Sequence, residues 1–298
     1  MRRWSTALSR LTSLALVLAL AYGVLALATR HYAPSAPSPL TGASASAING
    51  WVLVGPGQPK PVNPPLDLAR QAGLGDGQLV GAAALNSAVL LILALGLALG
   101  IGIPVGFWVG VSGPRVFADV VRATASIGIT FPAFFLAFLL QLVAISLAQV
   151  FHRTIVPVFG YGLDGHLVLP TIALALAPMA YAMRLVALAA EDLEHRDFVR
   201  TARAKGLSEE LVIYRHIATN MVATLAEAAL GAARLALGGL VIVEFVLVWP
   251  GLGLLTLRAA NVQDFPIFLG AVFVLATVFL AVEISLDALT RPRAEVIA

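Results

Sequence analysis

The chain has 298 residues, of which 59% are hydrophobic and only 12% are charged, with a formal net charge of +3. A soluble domain carries about a quarter charged residues, so this composition excludes a water-soluble globule and favours a membrane protein. The sequence contains no cysteine, which excludes disulfides, thiolate nucleophiles and cysteine-ligated metal sites.

The first predicted span is the uncharged run at residues 11–29, which lies between Arg10 and Arg30. A helix of this length can cross a hydrocarbon core of about 30 Å. A cleaved signal peptide is the alternative, because the run ends in small residues that fit a cleavage site. The length of the run and the spans that follow favour an uncleaved anchor. Residues 1–30 are therefore assigned to an N-terminal cytoplasmic segment and the first transmembrane helix.

Residues 31–85 are rich in proline and glycine. Proline at this density is incompatible with regular helix, because it removes backbone donors and clashes with the preceding turn. We predict an extracytoplasmic loop here, with one short helix near residues 66–71.

Residues 86–290 contain long apolar runs separated by short polar or turn-forming segments. Each run is long enough to cross a membrane as a helix. Five spans are predicted, at residues 86–111, 123–149, 167–190, 223–248 and 266–286. The fold class is thus an all-α polytopic membrane protein with six transmembrane helices and a short tail at 291–298.

Six helices place both termini on one side of the membrane, and the basic residues indicate which side. The segments on the side of the termini contain thirteen Lys and Arg residues, and the opposite loops contain five. By the positive-inside rule, the termini and the polar segment at 191–216 are cytoplasmic.

The polar segment at 191–216 has the signals of two short helices joined by a glycine turn. Arg203 and Lys205 suit the C-terminus of a helix, and Gly206 stands where a left-handed residue is favoured. Ser208 is a good N-cap for a following helix that begins with two glutamates. The alternative is a solvated loop that only connects two spans.

Arg234 and Glu244 are charged residues that lie well inside the fifth span. Charges within a bilayer usually face the bundle interior or an aqueous cavity, so both are candidates for lining a translocation path. The alternative is a structural contact between helices or snorkelling toward headgroups, and it suits Glu244 better, near the outer end.

Proline and glycine inside the spans suggest bends and close packing. Pro104, Pro132 and Pro178 fall in three different predicted spans and could kink them. Glycines at small-xxx-small spacing in the second span support close helix packing, namely Gly96, Gly100, Gly102, Gly106 and Gly110.

Two other classes of function, an intramembrane protease and a secondary transporter, have weaker support in the sequence. Residues 110–113 (GVSG) resemble the Gly-x-Ser-Gly of rhomboid-type intramembrane proteases, with Ser112 as nucleophile, but a turn role suits a residue at the end of a span. A secondary transporter would be expected to show inverted repeats, and none is visible. The sequence has no phosphate-binding loop, so any ATP-driven work requires another chain.

Residues 197–208 (DFVRTARAKGLS), followed by Arg215, His216 and Asn220, resemble the EAA loop of binding-protein-dependent ABC importer permeases. The similarity is to the dipeptide, oligopeptide and nickel branch. Further matching segments occur in the same order, namely 131–137 (FPAFFLA), 166–170 (HLVLP), Glu244 with 249–253 (WPGLG), and 264–266 (DFP). The resemblance covers residues 85–292, although Thr224 stands where the family usually has proline.

This resemblance implies a MetI-like permease fold, with a permease core at 86–290, an EAA loop at 191–220 and a cytoplasmic coupling helix between helices 4 and 5. It implies a non-enzymatic subunit of a bacterial inner-membrane importer for a peptide or related small solute. The implied partners are a second, related permease chain, two ABC ATPase subunits that bind ATP and Mg, and an extracytoplasmic solute-binding protein; nucleic acid is not among them. No cofactor, metal or catalytic residue is expected on this chain. The residues implied to couple to the ATPase are Thr201, Ala202, Arg203, Ala204, Lys205, Gly206, Leu207 and Ser208.

Overall fold

The computed structural model describes residues 75–113, 119, 121, 123, 131–153, 156–158, 162, 164–261 and 264–290, with side chains as far as 284. The predicted first span, the short helix at 66–71, most of the predicted loop and the tail at 291–298 lie outside the described residues.

Every regular element in the described part of the chain is helical. The main helices are α1 (Asp76–Ser112), α2 (Ala133–Phe151), α3 (Val168–Glu194), α4 (Asp197–Ala204), α5 (Glu209–Val212), α6 (Val222–Val246), α7 (Leu252–Asn261) and α8 (Phe265–Thr290). A 3-10 turn precedes α3, and a π-helical turn (Ile213–Ile217) and a 3-10 turn (Ala218–Met221) join α5 to α6.

Five stretches of the described residues are long and apolar enough to cross a membrane. They are Asp76–Ser112, Ala133–Phe151, Gly165–Glu194, Glu209–Val246 and Phe265–Ile284. They correspond one to one with the five spans predicted after the first. An all-helical membrane protein is therefore confirmed, and the sixth helix remains a prediction.

Helix α1 begins ten residues before the predicted start of the second span, so the end of the predicted loop at 31–85 is helical. Leu79 and Ala83 lie in this extension, and both are fully buried. They pack against α7 and the start of α8, where Leu255 and Ile267 belong to the same cluster. The extension is held by contacts with residues far along the chain, which explains why local composition did not indicate it.

Helix α2 begins at Ala133, and Pro132 occupies its N-cap position with extended backbone. Pro132 therefore precedes α2 and cannot kink it, so the prediction that it lies inside a helical span is wrong. Pro104 and Pro178 do lie inside α1 and α3. Ala123 is helical, but residues 124–130 lie outside the described part of the chain.

Helix α7 is missing from the sequence prediction. It has ten residues, and Leu252, Leu255 and Ala259 on one side are buried. A helix this short cannot be recognised as a span, and its polar residues resemble a loop. It lies between α6 and α8 and packs against both.

Helices α1 and α3 pack together through glycine. A Cβ atom at Gly102 would lie 2.8 Å from the Met179 carbonyl oxygen, and one at Gly110 would lie 2.5 Å from that of Ala187. A Cβ at Gly106 would overlap the Met183 carbonyl. These three glycines confirm the predicted close packing. Among the residues that the structure describes, no atom lies within 4 Å of a Cβ placed at Gly96 or Gly100, so these two glycines do not contribute to the packing of α1 on α3.

One apolar cluster packs the polar segment at 191–216 against the membrane-spanning helices. Val199 and Ala202 of α4 pack with Val212 and with Val186 and Ala190 of α3. Partly buried residues of α1 complete this cluster. The polar segment is therefore a packed extension of the bundle.

Candidate functional site

Helix α4 ends in a Schellman turn at Gly206. The Gly206 N–H donates to the Arg203 carbonyl at 3.0 Å, and the Leu207 N–H donates to the Ala202 carbonyl at 3.4 Å. Gly206 has a φ of 78°, a left-handed conformation in which a β-carbon is unfavourable. The predicted helix, glycine turn and second helix are all present.

Ser208 occupies the N-cap position of α5, but its side chain makes no capping hydrogen bond. Its backbone is extended, and Glu209 and Glu210 follow in the first turn. The predicted position is therefore correct and the predicted side-chain role is wrong. Helix α5 has only four residues, so most of its stability comes from packing.

Arg203 joins three helices through its guanidinium group. Its Nη2 and Nε atoms lie 2.5 Å and 3.1 Å from the two carboxylate oxygens of Glu209. Nη2 also lies 3.3 Å from a carboxylate oxygen of Glu194, at the end of α3. Hydrogen bonding to Glu209 raises the pKa of Arg203 above its usual value. Arg203 therefore links the end of α3, α4 and the start of α5.

The eight residues implied to contact an ATPase do not share one environment. Ala202 is buried in the cluster between α4 and α3, so its side chain faces the chain's own interior. Arg203 is half-buried by its ion pairs. The other six are exposed and adjoin one another at the turn, namely Thr201, Ala204, Lys205, Gly206, Leu207 and Ser208.

Four exposed apolar side chains lie at or beside this turn, and sequence reasoning missed three of them. They are Phe198, Leu207, Leu211 and Tyr214, with Tyr214 75% exposed. Only Leu207 was named before, as part of the turn. Helical spacing would not have separated Phe198 from the buried face of α4, because it lies four residues before the buried Ala202.

Arg234 of α6 forms a two-pronged ion pair with Glu283 of α8. Its Nε lies 2.6 Å from one carboxylate oxygen, and its Nη2 donates to the other at 2.6 Å. The side chains are 43% and 23% exposed, respectively. Sequence reasoning missed Glu283, because the partners are 49 residues apart.

Glu244 of α6 is fully buried and accepts hydrogen bonds from two other elements. Ser87 Oγ of α1 donates to it at 2.6 Å. The backbone N–H groups of Gly253 and Leu254 donate to its other oxygen at 2.7 Å and 3.4 Å. The Leu252 N–H donates to Ser87 Oγ at 2.7 Å. The carboxylate thus satisfies the otherwise unpaired N–H groups that begin α7.

Asn86, the residue before Ser87 in α1, forms hydrogen bonds with the turn between α6 and α7. Asn86 Nδ2 donates to the Pro250 carbonyl at 2.9 Å, and the Trp249 indole N–H donates to the Asn86 carbonyl at 3.2 Å. Trp249 is completely buried. We call Ser87, Glu244, Trp249 and the start of α7 the outer corner.

Ser112 is the exposed last residue of α1. None of the histidines in the described part of the chain makes a hydrogen bond with it, so the arrangement gives no support to a Ser–His protease. The residues that the structure describes contain no group of three or more His, Cys, Asp or Glu side chains that could hold a metal ion.

Comparison with known proteins gives a family match and several relatives. The family model of the inner-membrane component of binding-protein-dependent transport systems matches residues 102–293, well over half of the chain. A putative peptide permease protein of Brucella ovis is 36% identical over 137 residues, covering 44% of this chain and 42% of the relative.

Two further relatives have named transport systems. The dipeptide transport system permease protein DppB of Alkalihalophilus pseudofirmus is 34% identical over 125 residues, covering 42% of this chain and 37% of the relative. The glutathione transport system permease protein GsiC of Escherichia coli K12 is 33% identical over 164 residues, covering 54% and 51%. The matches span about half the length of these relatives or less. Because the family model matches α1 from Gly102 onward and every later helix, the chain belongs to the family of inner-membrane components of binding-protein-dependent transport systems.

Proposed function

We propose that this chain is the permease subunit of an ABC importer and moves a peptide or a related small solute across the bacterial inner membrane. The observation that carries the proposal is the exposed turn at Gly206, packed on the membrane helices within the matched family region. The named relatives, which transport peptides, dipeptides and glutathione, support the class of solute.

The proposed complex also contains a second permease chain, two ATPase subunits and an extracytoplasmic solute-binding protein. ATP and Mg belong to the ATPase subunits. Family membership supports this composition, because the family is defined by transport that depends on a binding protein.

In the proposed mechanism, the ATPase contacts the exposed turn and moves α4 when its nucleotide-bound dimer closes. Helix α4 is packed on α3 through Val199 and Ala202, and Arg203 links it to Glu194 and Glu209. A rigid displacement of α4 would therefore move the ends of both α3 and α6, since packed elements shift as units.

The docking surface would combine the exposed turn with the neighbouring apolar side chains. Small residues such as Ala204 allow close approach, and Phe198 and Tyr214 offer large apolar contact areas. Exposed aromatic side chains of this kind are typical anchors of protein interfaces.

The test is Ala204→Asp, compared with Ala204→Ser. The aspartate would bring an unpaired charge into the docking cleft, whereas serine keeps the side chain small. We expect the aspartate variant to reach the membrane in normal amount but to lose copurification with the ATPase or solute-stimulated hydrolysis. Wild-type binding and stimulated turnover in this variant would show that the turn is only a connector.

The proposed orientation has the turn at Gly206 in the cytoplasm and residue Gly57 outside. The excess of basic residues around the cytoplasmic segments supports it. Reporter fusions at the two positions should give opposite activities. Equal activity at both would contradict six helices with cytoplasmic termini.

For the two charges of α6 we propose different roles. Arg234 remains a candidate for the translocation path, supported by its 43% exposed side chain. For Glu244 we favour the structural alternative, because its carboxylate is enclosed by Ser87 and the start of α7.

A further inference from the structure

Glu227, Gly231 and Arg234 lie along one face of α6. Residues three, four and seven apart share a face of a helix, and seven residues rise by about 10.5 Å. This face therefore has a carboxylate near the cytoplasmic end of α6 and a guanidinium about two turns deeper in the membrane.

Arg234 keeps unused hydrogen-bonding capacity in spite of its ion pair. A guanidinium has five N–H donors, and Glu283 accepts from two of its nitrogens, Nε and Nη2. The exposed part of the side chain can therefore bind a second carboxylate.

Glu227 makes no hydrogen bond or ion pair with any other residue that the structure describes. It is half-buried on the first turns of α6. A carboxylate within a membrane span is costly in lipid, so it faces an aqueous path or binds a cation. Arg234 and Glu283 balance each other's charge, so the Glu227 carboxylate is left to attract the cationic group of a ligand.

Tyr181 of α3 connects the two ends of this face. A Cβ atom at Gly231 would lie 2.6 Å from the Tyr181 hydroxyl oxygen, so the ring rests on α6 between Glu227 and Arg234. The phenol lies close enough to interact electrostatically with both charges. It is half-buried and supplies both a donor and an acceptor.

We propose that Tyr181, Glu227, Arg234 and Glu283 form a binding site for a zwitterionic solute. Glu227 binds the solute's ammonium group, and the free donors of Arg234 bind its carboxylate. Glu283 holds the guanidinium in place as a positioning residue, and Tyr181 hydrogen-bonds to the solute between the two ends. This proposal rests on the proposed import function and specifies the chemistry of the solute.

The spacing of the charges indicates the size of the solute. An extended chain spans at most about 3.3–3.6 Å per residue, so three residues reach about 10 Å. That length matches the rise from Glu227 to Arg234. A tripeptide with free termini fits the site, and a peptide blocked at either end lacks one of the two contacts.

The test measures uptake into proteoliposomes that contain the complete importer and its binding protein. The probes are trialanine, N-acetyl-trialanine and trialanine amide. Because the same binding protein is used throughout, a change in preference between probes reports on the permease. The variants are Glu227→Gln and Arg234→Gln. Glu210→Gln is the control, since Glu210 is an exposed carboxylate on α5 outside the site.

We expect Glu227→Gln to lower trialanine uptake roughly tenfold while uptake of the N-acetylated probe stays at the wild-type rate, because one charge-assisted hydrogen bond is lost. Arg234→Gln should likewise lower trialanine uptake roughly tenfold, while uptake of trialanine amide stays at the wild-type rate. Glu210→Gln should match wild type with all three probes. The amount of assembled complex and the ATP hydrolysis stimulated by the binding protein are measured in each case.

Three results would overturn the site. If Glu227→Gln takes up trialanine at the wild-type rate, or loses both probes equally, ammonium recognition is refuted while peptide import stands. If the wild-type complex hydrolyses ATP but moves no probe, peptide import itself fails, and the site fails with it.

Discussion

Two turns of this molecule close a helix with the same hydrogen bonds but different residues. At the end of α4 the left-handed residue is Gly206, and at the end of α6 it is Val248, with φ values of 78° and 57°. In the second turn the Trp249 N–H donates to the Glu244 carbonyl at 2.8 Å and the Val248 N–H to that of Phe245 at 3.3 Å. Both are Schellman turns, but the second has a β-branched residue where glycine is favoured.

The surroundings of the two turns differ as much as the residues. The Gly206 turn is exposed, and the ion pairs that hold it belong to half-buried or exposed side chains. The Val248 turn lies in the outer corner, where Trp249 and Glu244 are completely buried and hydrogen-bonded to α1 and α7.

This difference shows which surroundings can hold a residue in a strained backbone conformation. A non-glycine residue in the left-handed region persists when the surrounding structure over-determines it. The outer corner provides such surroundings, whereas the Gly206 turn is exposed and its ion pairs are half-buried or exposed, so that each contributes little. The exposed turn is thus built without backbone strain, whereas the enclosed corner tolerates it.

Removing the Glu244 carboxylate should destabilise the outer corner, and this is the largest effect that we expect. Glu244→Ala leaves the Ser87 hydroxyl and the Gly253 and Leu254 N–H groups buried without an acceptor. Each such group costs about 1–3 kcal/mol, so we expect a loss of roughly 3 kcal/mol or more. The measurement is the abundance and thermal unfolding temperature of the purified complex.

The control for Glu244→Ala is Glu210→Ala, which removes an exposed carboxylate and should change stability by no more than about 0.5 kcal/mol. A Glu244→Ala protein with wild-type abundance and unfolding temperature would show that the outer corner is not held by this side chain.

Placing a β-branched residue in the exposed turn should have the next largest effect. In Gly206→Val the left-handed backbone becomes unfavourable by about 1–2 kcal/mol. A Cβ at Gly206 would meet no atom within 4 Å, so the backbone conformation alone carries the effect. We expect normal insertion but reduced copurification with the ATPase.

Gly206→Asn separates conformation from chemistry, because asparagine tolerates the left-handed region better than valine. It should retain most of the coupling. If both variants couple equally well, the φ of 78° is not what the turn requires.

The Gly206 turn could be predicted from sequence because its signals are local. Arg203, Lys205, Gly206 and Ser208 are consecutive or nearly so, and each has a positional preference at helix ends. What local reasoning could not show is the Arg203 ion pairs and the burial of Ala202, since both depend on how α4 packs on α3.

The outer corner could not be predicted because its partners are far apart in sequence. Ser87 and Glu244 are 157 residues apart, and Arg234 and Glu283 are 49 apart. Hydropathy indicates that each residue lies in a span, but not which helix its side chain faces. The start of α1 and all of α7 were missed for the same reason, since contacts between them stabilise both.

Relieving the backbone strain at Val248 should increase the stability of the protein slightly. Val248→Gly removes the left-handed penalty of about 1–2 kcal/mol but adds about 0.5–1 kcal/mol of chain entropy in the unfolded state. We expect a net gain of up to about 1 kcal/mol. Both variants lose the packing of the half-buried valine side chain, but Val248→Ala also keeps the left-handed penalty, so it should be less stable than Val248→Gly. Thermal unfolding of the complex gives the comparison, and an alanine variant more stable than the glycine variant would refute strain at this turn.

The smallest expected effect is at the ion pair between Arg203 and Glu209, which closes the Gly206 turn. The side chains of Arg203 and Glu209 are 35% and 55% exposed, so solvent and salt screen their attraction. A double-mutant cycle with Arg203→Ala and Glu209→Ala should give a coupling energy of about 0.3–1 kcal/mol that falls as salt is added. Amide hydrogen exchange at Gly206 and Leu207 measures it locally, because their N–H groups close the turn.

The charge-swapped pair, Arg203→Glu with Glu209→Arg, leaves two carboxylates facing each other at Glu194, so it should recover only part of the protection. Full recovery would mean that Glu194 contributes nothing, and additive single variants would mean that the exposed turn is held by packing alone.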